Sequence, residues 1–566
     1  MCIRDSIVSP DGTQGILHGK IVLNNIPGGY YLEFEISRNG KLVNDFMVLQ
    51  HNAPAAQTQE VEWTGEKSIV DTPTLWSPAT PSLYDIKVTL KQLDSLDQLK
   101  QGGKTVDQVK TYTAFRTVGM KDGRLTLNGK PIFYRGVLDQ GYWPDGILTP
   151  PSDAAIKADV ELVKKLGFNM ARKHVKVDDP RWYYWCDKLG VLVWQDMPSS
   201  HNLSSEEAQQ NFIHEWREVM AATRNYPSVV HWIPFNENWG NPEAFQDSIV
   251  TLTRQIDSSR PITDASGWTQ RGLTDVIDTH DYSNNLRAQG VRNPTKPKVV
   301  GEYGGIALPI EGHTWSSGWG YQSVRDADGL INRIRYQTTQ LFEAENLSGF
   351  VYTQLTDVEQ ELNGLLTYDR LPKAPFKRIE AVFNGTDRST ADEINFIKEW
   401  LVLGPVPGGT TLNAAVDNAE NRAQMETLLS IGGLSGSSIP DPKDGEPQAM
   451  LSGEIRKWKR VAINEDILDF HKVFGGNTEN SVAYAVAIID SPKATKNATL
   501  YLGSDDGVAV TLNGVEVWRN AVIRGVSLDS DIVPNITLKK GRNVLVFRVG
   551  QGMGGWGLAA RVEMPR

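Results

Sequence analysis

Apolar and polar residues alternate along roughly the first hundred positions, and this alternation predicts β-strands. Residues 83–90 follow the pattern with a period of two, as expected for a strand with one buried face. The dipeptide Asn39-Gly40 indicates a hairpin turn between two strand-like segments. We therefore predict a β-sandwich over residues 1–118.

Beyond residue 118 the pattern changes to apolar strands that alternate with amphipathic helices. Ser152 is typical of a helix N-cap, and Gly167 and Gly190 are typical of helix ends. Eight strand–helix units fit the usual length of a (β/α)8 TIM barrel, which we predict over residues 119–385. The predicted strands cover residues 131–137, 168–172, 191–194, 229–236, 261–264, 276–280, 299–302 and 349–353.

A polar stretch at residues 386–395 predicts a linker, and the pattern after it is again typical of strands. Asn513-Gly514 indicates a hairpin turn between two of them. We predict a jelly-roll-like β-sandwich over residues 396–566, so the fold class is multidomain, α/β plus all-β. Trp458, Trp518 and Trp556 could form a sugar-binding platform or pack in the core of this sandwich, and we favour the core.

The bulk composition narrows the class of protein. A chain of 566 residues is too long for one core, so two to four domains are expected. A hydrophobic content of 40% and a charged content of 22% are ordinary for a soluble globular protein. The net charge of −10 argues against nucleic acid or an anionic membrane as the main partner. No apolar run reaches the roughly 18 residues of a membrane-spanning helix.

The sequence carries no convincing motif for a metal or a nucleotide cofactor. Cys2 and Cys186 are too far apart to suggest a zinc cluster or a disulfide framework. Gly550-x-Gly552-x-x-Gly555 matches the dinucleotide-binding pattern, but no helical pattern follows it. A Walker loop is absent from the sequence. We therefore expect no cofactor and no metal.

Two glutamates follow apolar runs that we predict to be barrel strands. Glu237 follows residues 229–236, and Glu302 follows residues 299–301. A parallel barrel brings the carboxyl ends of its strands to one face. A glycosidase that retains anomeric configuration needs two carboxyl groups, one to protonate the leaving oxygen and one to attack the sugar carbon. The alternative is that both glutamates cap strands in salt bridges. We favour catalysis, because a charge beside a buried strand gains nothing from folding unless it is solvated in a cleft.

Other polar residues near predicted strand ends are candidates for substrate binding. The amide of Asn236 can hydrogen-bond a sugar 2-hydroxyl, and Arg172 can pair with the nucleophile carboxylate and keep it ionised. Among the tyrosines we choose Tyr282 as the donor to Glu302. The remaining candidates, each of which could instead belong to the packing of the barrel rim, are His174, Asp196, Trp239, His280 and Tyr352.

Several short motifs occur in the same order as in glycoside hydrolase family 2, which this chain resembles over residues 20–385. Asn236-Glu237 fits the family's acid/base motif, and residues 301–305 fit its nucleophile motif. The resemblance implies an immunoglobulin-like sandwich before the barrel, Glu237 as acid/base and Glu302 as nucleophile. It also implies retaining β-galactosidase, β-glucuronidase or β-mannosidase activity. The other matching motifs are Leu75-Trp76-Ser77-Pro78, Pro81-Ser82-Leu83-Tyr84, Phe115-Arg116-Thr117-Val118, Leu127-Asn128-Gly129-Lys130-Pro131-Ile132, Gly167–Arg172 and Trp194–Pro198.

The chain departs from the family's usual pattern in several places. The sugar-binding jelly roll that normally comes first is absent, so we expect a truncated form of a bacterial protein that is periplasmic or secreted. Residues 173–176 replace the usual His-Tyr-Pro-like stretch. The Asn-x-Lys signature of glucuronidases does not follow the nucleophile motif. The C-terminal sandwich is an addition that is similar to galactose-binding-like modules.

We predict an exo-acting, retaining β-glycosidase, most similar to a β-galactosidase, that acts on a glycoside, an oligosaccharide or a polysaccharide. Glu237 should have a raised pKa and Glu302 should stay ionised, with the two carboxyl groups about 5–5.5 Å apart. The alternatives are a catalytically inactive carbohydrate-binding or scaffold protein and an endo-acting glycanase of the same clan. The sequence leaves the sugar, the linkage and the oligomeric state open.

Overall fold

The computed structural model describes residues 2–8, 14–26, 29–50, 56–63, 69–93, 99–100, 102–199, 202–290, 294–315, 318–389, 395–408, 412, 416–430, 442–450, 454–476 and 478–565. Within these residues the chain forms an N-terminal β-sandwich, a parallel α/β barrel and a C-terminal β-sandwich. The predicted fold class is confirmed.

Alternating apolar residues build the N-terminal sandwich from antiparallel strands. The strands are β1 (Cys2–Val8), β2 (Gln14–Ile26), β3 (Tyr30–Arg38), β4 (Lys41–Gln50), β5 (Ala56–Trp63), β6 (Ile69–Asp71), β7 (Tyr84–Gln92) and β8 (Lys104–Thr113). One sheet has the order β1-β2-β5, with β6 also paired to β2, and the other has the order β4-β3-β7-β8. Leu32, Phe34 and Ile86 of the second sheet share a buried core with Ile21 and Val61 of the first.

A small sheet connects this sandwich to the barrel and closes the barrel's lower end. Its strands are β9 (Val118–Lys121), β10 (Arg124–Leu127) and β11 (Lys130–Pro131). Leu127 and the sandwich residue Trp76 share a core with Met170 and Leu192, which begin two barrel strands. The indole N–H of Trp76 donates to the carbonyl of Asp187 at 2.8 Å. Because this end is packed, the opposite, carboxyl end of the strands is the one that can carry a site.

Parallel strands form the barrel wall. The strands of this region are β12 (Tyr134–Asp139), β13 (Met170–Lys173), β14 (Leu192–Asp196), β15 (Val229–Ile233), β16 (Phe235–Asn236), β17 (Ala265–Ser266), β18 (Ile277–Asp281), β19 (Lys298–Gly304), β20 (Ile306–Ala307), β21 (Gln322–Ser323) and β22 (Leu347–Thr353). In the described part of the chain, seven of them make one sheet of order β15-β14-β13-β12-β22-β19-β18. The short strand β17 pairs with β16, which continues the line of β15.

The fifth strand position differs from the prediction of residues 261–264. Ile262 makes only an isolated bridge to Trp232, and the regular ladder begins at Ala265, opposite Phe235. The interruption lies opposite Pro234, which has no backbone N–H to continue the ladder. The strand is therefore shorter and later than its apolar pattern suggests.

Helices cover the outside of the wall. They are α1 (Asp153–Lys165), α2 (Pro180–Leu189), α3 (Glu206–Thr223), α4 (Glu243–Ile256), α5 (Ala327–Glu343) and α6 (Phe376–Phe383). Ser152 caps α1 through a hydrogen bond from the backbone of Ala155, and Gly190 ends α2 with a left-handed φ of 77°. Apolar residues at helical spacing, such as Ile156 and Val160 of α1, form a continuous core with the outward faces of the strands.

The C-terminal region is a sandwich of antiparallel sheets with a helix on one outer face. Its elements are β23 (Glu399–Pro407), α7 (Ala419–Ser430), β24 (Pro447–Ala449), β25 (Ile455–Lys457), β26 (Lys459–Ala462), β27 (Leu468–Asp469), α8 (Phe470–Phe474), β28 (Ser481–Ser491), β29 (Thr495–Asp505), β30 (Val508–Leu512), β31 (Val515–Asn520), β32 (Asp531–Leu538), β33 (Gly541–Gln551) and β34 (Gly557–Glu563). The sheet β26-β23-β28-β33-β30-β31 faces the sheet β27-β34-β29-β32, and α7 packs on the first sheet.

The C-terminal tryptophans contribute to packing, as we favoured. Trp458 and Trp556 are 2% and 3% exposed, and Trp518 packs partly buried against the core between the sheets. Of the predicted linker 386–395, residues 390–394 lie outside the described residues.

The C-terminal sandwich is joined to the barrel by backbone and ionic contacts. The backbone N–H of Ser323 donates to the carbonyl of Leu528 at 2.9 Å, and that of Leu528 to the carbonyl of Tyr321 at 3.2 Å. Asp529 forms buried ion pairs with Arg333 of α5 and Arg561 of β34. The sandwich therefore holds a barrel segment that lies close to the carboxyl ends of the strands. None of the helices in the described ranges is both long and apolar enough to cross a membrane.

Candidate active site

Glu237 and Glu302 approach each other at the carboxyl ends of the barrel strands. Glu302 lies in β19, and Glu237 directly follows β16. A carboxyl oxygen of Glu237 lies within 4.8 Å of a carboxyl oxygen of Glu302. Glu302 is 6% exposed, whereas Glu237 is only half-buried. The pair therefore shares one cleft, which is open to solvent on the side of Glu237.

The backbone makes a strained turn where β16 ends. Glu237 has a φ of 53°, in the left-handed region that residues other than glycine rarely occupy. Its N–H donates to the carbonyl of Ser266 at 3.0 Å, and the side chain of Asn238 accepts from Asn241 at 2.8 Å. Such a conformation costs about 1–3 kcal/mol and is concentrated at functional sites. The surrounding hydrogen bonds hold the turn in place.

His280 lies between the two carboxylates. Its Nδ1 is 2.6 Å from Oε1 of Glu237 and 3.4 Å from Oε2 of Glu302. Burial alone would lower the pKa of His280, but the charge of Glu302 and the hydrogen bond to Glu237 outweigh burial and raise it. An imidazolium that donates to Glu237 is therefore favoured at this position.

The pKa of Glu237 contradicts our prediction of a raised value. Burial raises it, but hydrogen bonds from His280 and Trp239 and the charges of His280 and Arg172 together hold the pKa of Glu237 below its ordinary value. The indole N–H of Trp239 donates to Oε2 of Glu237 at 2.9 Å. We expected a raised pKa because a general acid needs one, and these donors reverse its direction.

Glu302 accepts hydrogen bonds on both of its carboxyl oxygens. The hydroxyl of Tyr282 donates to Oε2 at 2.6 Å, and Nη1 of Arg172 donates to Oε1 at 3.2 Å. Tyr282 is the tyrosine that we expected to reach this carboxylate. Its ring stacks on Tyr321, with the ring centroids 3.5 Å apart, which fixes the direction of the hydroxyl.

Arg172 organises the floor of the site and is completely buried. Besides Glu302, its guanidinium donates to Asp196 at 2.9 Å, to Oδ1 of Asn236 at 2.9 Å and to the hydroxyl of Ser266 at 2.8 Å. The Ser266 hydroxyl also donates to Oδ1 of Asn236 at 2.7 Å. Because the amide oxygen of Asn236 accepts both bonds, the amide nitrogen is the atom oriented to donate elsewhere.

His174 and Asp196 form a second layer beside the nucleophile. Nδ1 of His174 is 3.1 Å from Oδ2 of Asp196 and 4.0 Å from Oε1 of Glu302. Asp196 is completely buried, and the charges of Arg172 and His174 outweigh that burial and lower its pKa. Asp196 therefore positions Arg172 and His174 and is not placed to touch a substrate, contrary to its listing among our binding candidates. His174 remains partly exposed.

Tryptophans line the open side of the cleft. Trp239 and Trp268 are 54% and 57% exposed, and their rings meet edge to face with centroids 5.4 Å apart. Trp268 also contacts the ring of His280, at 5.9 Å. Trp239 therefore has a surface available for a sugar ring, as its choice as a binding candidate requires.

Tyr352 is a correction to the predicted site. Its ring is completely buried in the layer between the strands and the helices, where it packs against Tyr303 and Phe383. Side chains alternate along a strand, so Val351, not Tyr352, faces the barrel interior. Position near a strand end gives no information on which face a side chain occupies.

Several residues at the site were not among the sequence candidates. Gln140 and Gln354 directly follow β12 and β22, so the same strand-end rule that selected Arg172 could have found them. Glu361 lies in the loop after β22, where a single sequence gives no signal. Tyr321 stacks on Tyr282, and the charges of Glu302 and Glu361 help to raise the pKa of its hydroxyl, after burial.

The site also offers a possible set of metal ligands. Glu237, His280 and Glu302 place ligand atoms within 4.8 Å of one another. Arg172 already supplies positive charge to Glu302 at 3.2 Å, and His280 with its raised pKa supplies it to Glu237. The donor set therefore fits proton transfer better than cation binding.

The parallel barrel, its flanking sandwiches and the paired glutamates define the class as a barrel protein of the glycoside hydrolase type. The model "Glycosyl hydrolases family 2, TIM barrel domain" matches residues 118–385, and the model "Glycosyl hydrolases family 2" matches residues 8–116. Together they match about two thirds of the chain. The chain belongs to glycosyl hydrolase family 2.

Curated relatives carry names of this family's activities. The chain is 26% identical over 434 residues to Beta-galactosidase 2 of Enterobacter cloacae, with 69% of this chain and 40% of that protein covered. It is 26% identical over 296 residues to a putative beta-glucuronidase of Formosa agariphila, with 47% of this chain and 35% of that protein covered. The chain spans between 20% and 40% of the length of the curated relatives named in these comparisons.

Solved structures share the fold. A beta-galacturonidase from Eisenbergiella tayi bound to galacturonate superposes with a TM-score of 0.54 and 19% identity, covering 68% of this chain and 71% of that chain. The beta-glucuronidase of Parabacteroides merdae superposes with a TM-score of 0.56 and 15% identity, covering 100% of this chain and 78% of that chain. At such low identities the likeness shows the fold alone.

Proposed function

We propose that this chain is the catalytic part of a retaining, exo-acting β-glycosidase, with Glu302 as nucleophile and Glu237 as acid/base. The observation that carries the proposal is the approach of their carboxyl oxygens to within 4.8 Å. Retaining glycosidases place the two carboxyl groups about 5–5.5 Å apart, whereas inverting enzymes need about 6.5–9.5 Å to admit a water molecule. The separation supports direct attack by Glu302.

The first step forms a covalent glycosyl-enzyme. Tyr282 and Arg172 donate hydrogen bonds to Glu302 and fix its direction, so one carboxylate oxygen attacks the anomeric carbon as the bond to the leaving oxygen breaks. Glu237 delivers a proton to that oxygen. Nδ1 of His280 lies 2.6 Å from Oε1 of Glu237 and can supply this proton. His280 and Glu237 therefore titrate as a coupled pair.

The second step hydrolyses the intermediate. Glu302 is then esterified and neutral, so His280 loses the negative charge that does most to raise its pKa. Glu237, now deprotonated, accepts a proton from water as the water attacks the anomeric carbon. The amide nitrogen of Asn236 is oriented to donate to the sugar 2-hydroxyl, a contact that strengthens in the transition state.

The names of the relatives support a β-galactoside as the first substrate to test. The measurement is turnover of 4-nitrophenyl β-galactoside, β-glucoside, β-mannoside and β-glucuronide, with Glu302→Gln as the control. We expect turnover of at least one glycoside, loss of turnover in the control, and a first-formed sugar that keeps the β configuration by NMR. Release of no sugar from any glycoside would favour the alternative of a carbohydrate-binding protein, and an α product would exclude retention.

A further inference from the structure

A third carboxylate, Glu361, lies at the same end of the barrel as the proposed catalytic pair. It lies in the loop after β22, where Oε1 accepts from Nδ2 of Asn363 at 3.0 Å and Oε2 accepts from Nε2 of Gln140 at 3.4 Å. Nε2 of Gln140 also donates to Oε1 of Gln354 at 2.9 Å. Because Gln140 follows β12 and Gln354 follows β22, Glu361 is held above the carboxyl ends of these two strands.

The strand order places Glu361 between the nucleophile and His174. Around the wall the order is β19, β22, β12 and β13. Glu302 belongs to β19, and His174 directly follows β13. Burial is the main cause that raises the pKa of Glu361. The charge of His174 lowers this pKa, and the charge of Glu302 raises it. The carboxylate therefore lies close enough to Glu302 and His174 to interact with the charges of both.

A neighbouring loop fixes the backbone of Glu361. Trp319 forms a bridge with Glu361, and its N–H donates to the carbonyl of Gln360 at 2.8 Å. Trp319 also meets Tyr321 edge to face, with ring centroids 5.4 Å apart. Tyr321 in turn stacks on Tyr282, the partner of Glu302. Glu361 is thus tied to the nucleophile through packed side chains, which makes its position well defined.

The chemistry of this carboxylate calls for hydrogen-bond donors. Among the described residues, its side-chain donors are two neutral amides, and the one from Gln140 is at the outer limit of hydrogen-bond distance. An ionised carboxylate only accepts hydrogen bonds and has about four sites for them. Burial and the charge of Glu302 raise the pKa of Glu361, and hydrogen-bond donors from a ligand would stabilise its ionised form. Sugar hydroxyl groups are such donors, whereas a sugar carboxylate is not.

We propose that Glu361 is a specificity-determining residue that accepts hydrogen bonds from hydroxyl groups of the sugar bound at Glu302, and that it selects neutral glycosides over uronides. The inference rests on the proposed glycosidase function and adds the substrate class. A uronide would place its own carboxylate in a cleft that already contains Glu237, Glu302 and Glu361, and like charges at short range repel. The chain would then differ in substrate from structural neighbours named as uronidases.

The test compares neutral and acidic sugars in the full chain. We expect the wild type to hydrolyse at least one neutral 4-nitrophenyl β-glycoside with a higher kcat/KM than the β-glucuronide and β-galacturonide. Glu361→Gln should lower kcat/KM for the neutral glycoside about 10- to 100-fold, as expected for loss of hydrogen bonds to a charged group. It should leave the uronide unchanged or improved. Glu359→Gln removes the same charge from the same loop and should leave the ratio unchanged.

Binding provides a second measurement that does not need turnover. Saturation-transfer NMR with D-galactose, D-glucose and D-glucuronate should show contact with the neutral sugars in the wild type and weaker contact in Glu361→Gln. A wild type that prefers the uronides overturns the inference, as does a Glu361→Gln protein whose neutral-to-acidic ratio stays within threefold of wild type. If no glycoside is hydrolysed while the binding preference is present, the proposed catalysis fails and the assignment of Glu361 stands.

Discussion

At the scale of single residues, the chemistry depends on His280 because it contacts both carboxylates. Its imidazole lies between the two like-charged carboxylates. It makes a favourable contact with Glu237 at 2.6 Å and with Glu302 at 3.4 Å. The same contact lowers the pKa of Glu237 and raises that of His280. The acid/base residue and its histidine therefore share a proton, and single-residue assignments of pKa values describe the pair incompletely.

The stability that is lost in His280→Asn should depend on pH in a defined direction. The folded-state pKa of His280 lies above the ordinary 6.5, so its stabilising contribution is complete below about pH 6.5. That contribution is lost as pH rises through the raised pKa. Urea unfolding at pH 6 and pH 9 should show a larger loss of stability at pH 6. The exposed His214→Asn is the control, and an equal loss at both pH values would refute the charged contact.

Tyr282→Phe should lower kcat more than it changes KM. It removes the hydroxyl that donates to Glu302 at 2.6 Å and leaves the ring stacked on Tyr321. A hydrogen bond to a charged group contributes about 1.5–3 kcal/mol, so we expect a fall of about 10- to 100-fold in kcat. Steady-state kinetics with Tyr321→Phe as the matched variant would check this. Equal effects of both variants would argue against a specific role for the Tyr282 hydroxyl.

At the scale of elements, close contacts between adjacent strands hold the nucleophile in place. Gly301 precedes Glu302 in β19, and its N–H donates to Oδ1 of Asp278 in β18 at 2.6 Å. A Cβ at Gly301 would lie 2.2 Å from Oδ2 of Asp278. Asp278 is 1% exposed, so its carboxylate has little room to move. A glycine is required here by the approach of a buried side chain.

Gly301→Ala should destabilise the protein and reduce activity together. Overpacking a buried position typically costs about 1–3 kcal/mol, and the displaced strand carries Glu302. The free energy of unfolding in urea and kcat would measure both effects. Gly272→Ala is the control, because nothing lies within 4 Å of a Cβ at that position. A stable and fully active Gly301→Ala protein would show that Asp278 can move aside.

At the scale of the whole molecule, the C-terminal sandwich supports the catalytic face. Its Leu528 exchanges backbone hydrogen bonds with Tyr321 and Ser323, and Tyr321 stacks on the tyrosine that contacts Glu302. Asp529, the next residue, lies completely buried between two arginines from different domains. We therefore expect packing of this sandwich to affect the geometry of the candidate site, although none of its described residues is among the proposed catalytic groups.

Asp529→Ala should loosen this contact. It leaves Arg333 and Arg561 without their shared buried partner, and breaking a buried ion pair costs about 3–5 kcal/mol. Thermal unfolding should shift to lower temperature, and kcat should fall because Tyr321 loses its support. Glu563→Ala removes a partly exposed partner of Arg561 and should cost about 1 kcal/mol or less. Unchanged unfolding in Asp529→Ala would mean that the two domains are held together by other contacts.

The sequence by itself determined the fold class and the placement of the two candidate glutamates at strand ends, because both follow from local patterns. The alternation of apolar and polar residues predicted the strands, and apolar residues at helical spacing predicted the helices. Because a parallel barrel brings its strand ends together, Glu237, Glu302, Arg172 and Tyr282 could be chosen by position alone. The break at Pro234 shortened the fifth strand in a way that hydrophobicity does not reveal.

Only the tertiary structure decided which face each side chain occupies and which charges meet. Tyr352 points outward because side chains alternate along its strand. The pKa of Glu237 is lowered and not raised because His280, which is distant in sequence, and the nearby Trp239 both donate to it. Glu361 and Tyr321 lie on loops that bring them to the site. Contacts between residues far apart in sequence depend on how packed elements are juxtaposed, and a single sequence records the elements without recording that juxtaposition.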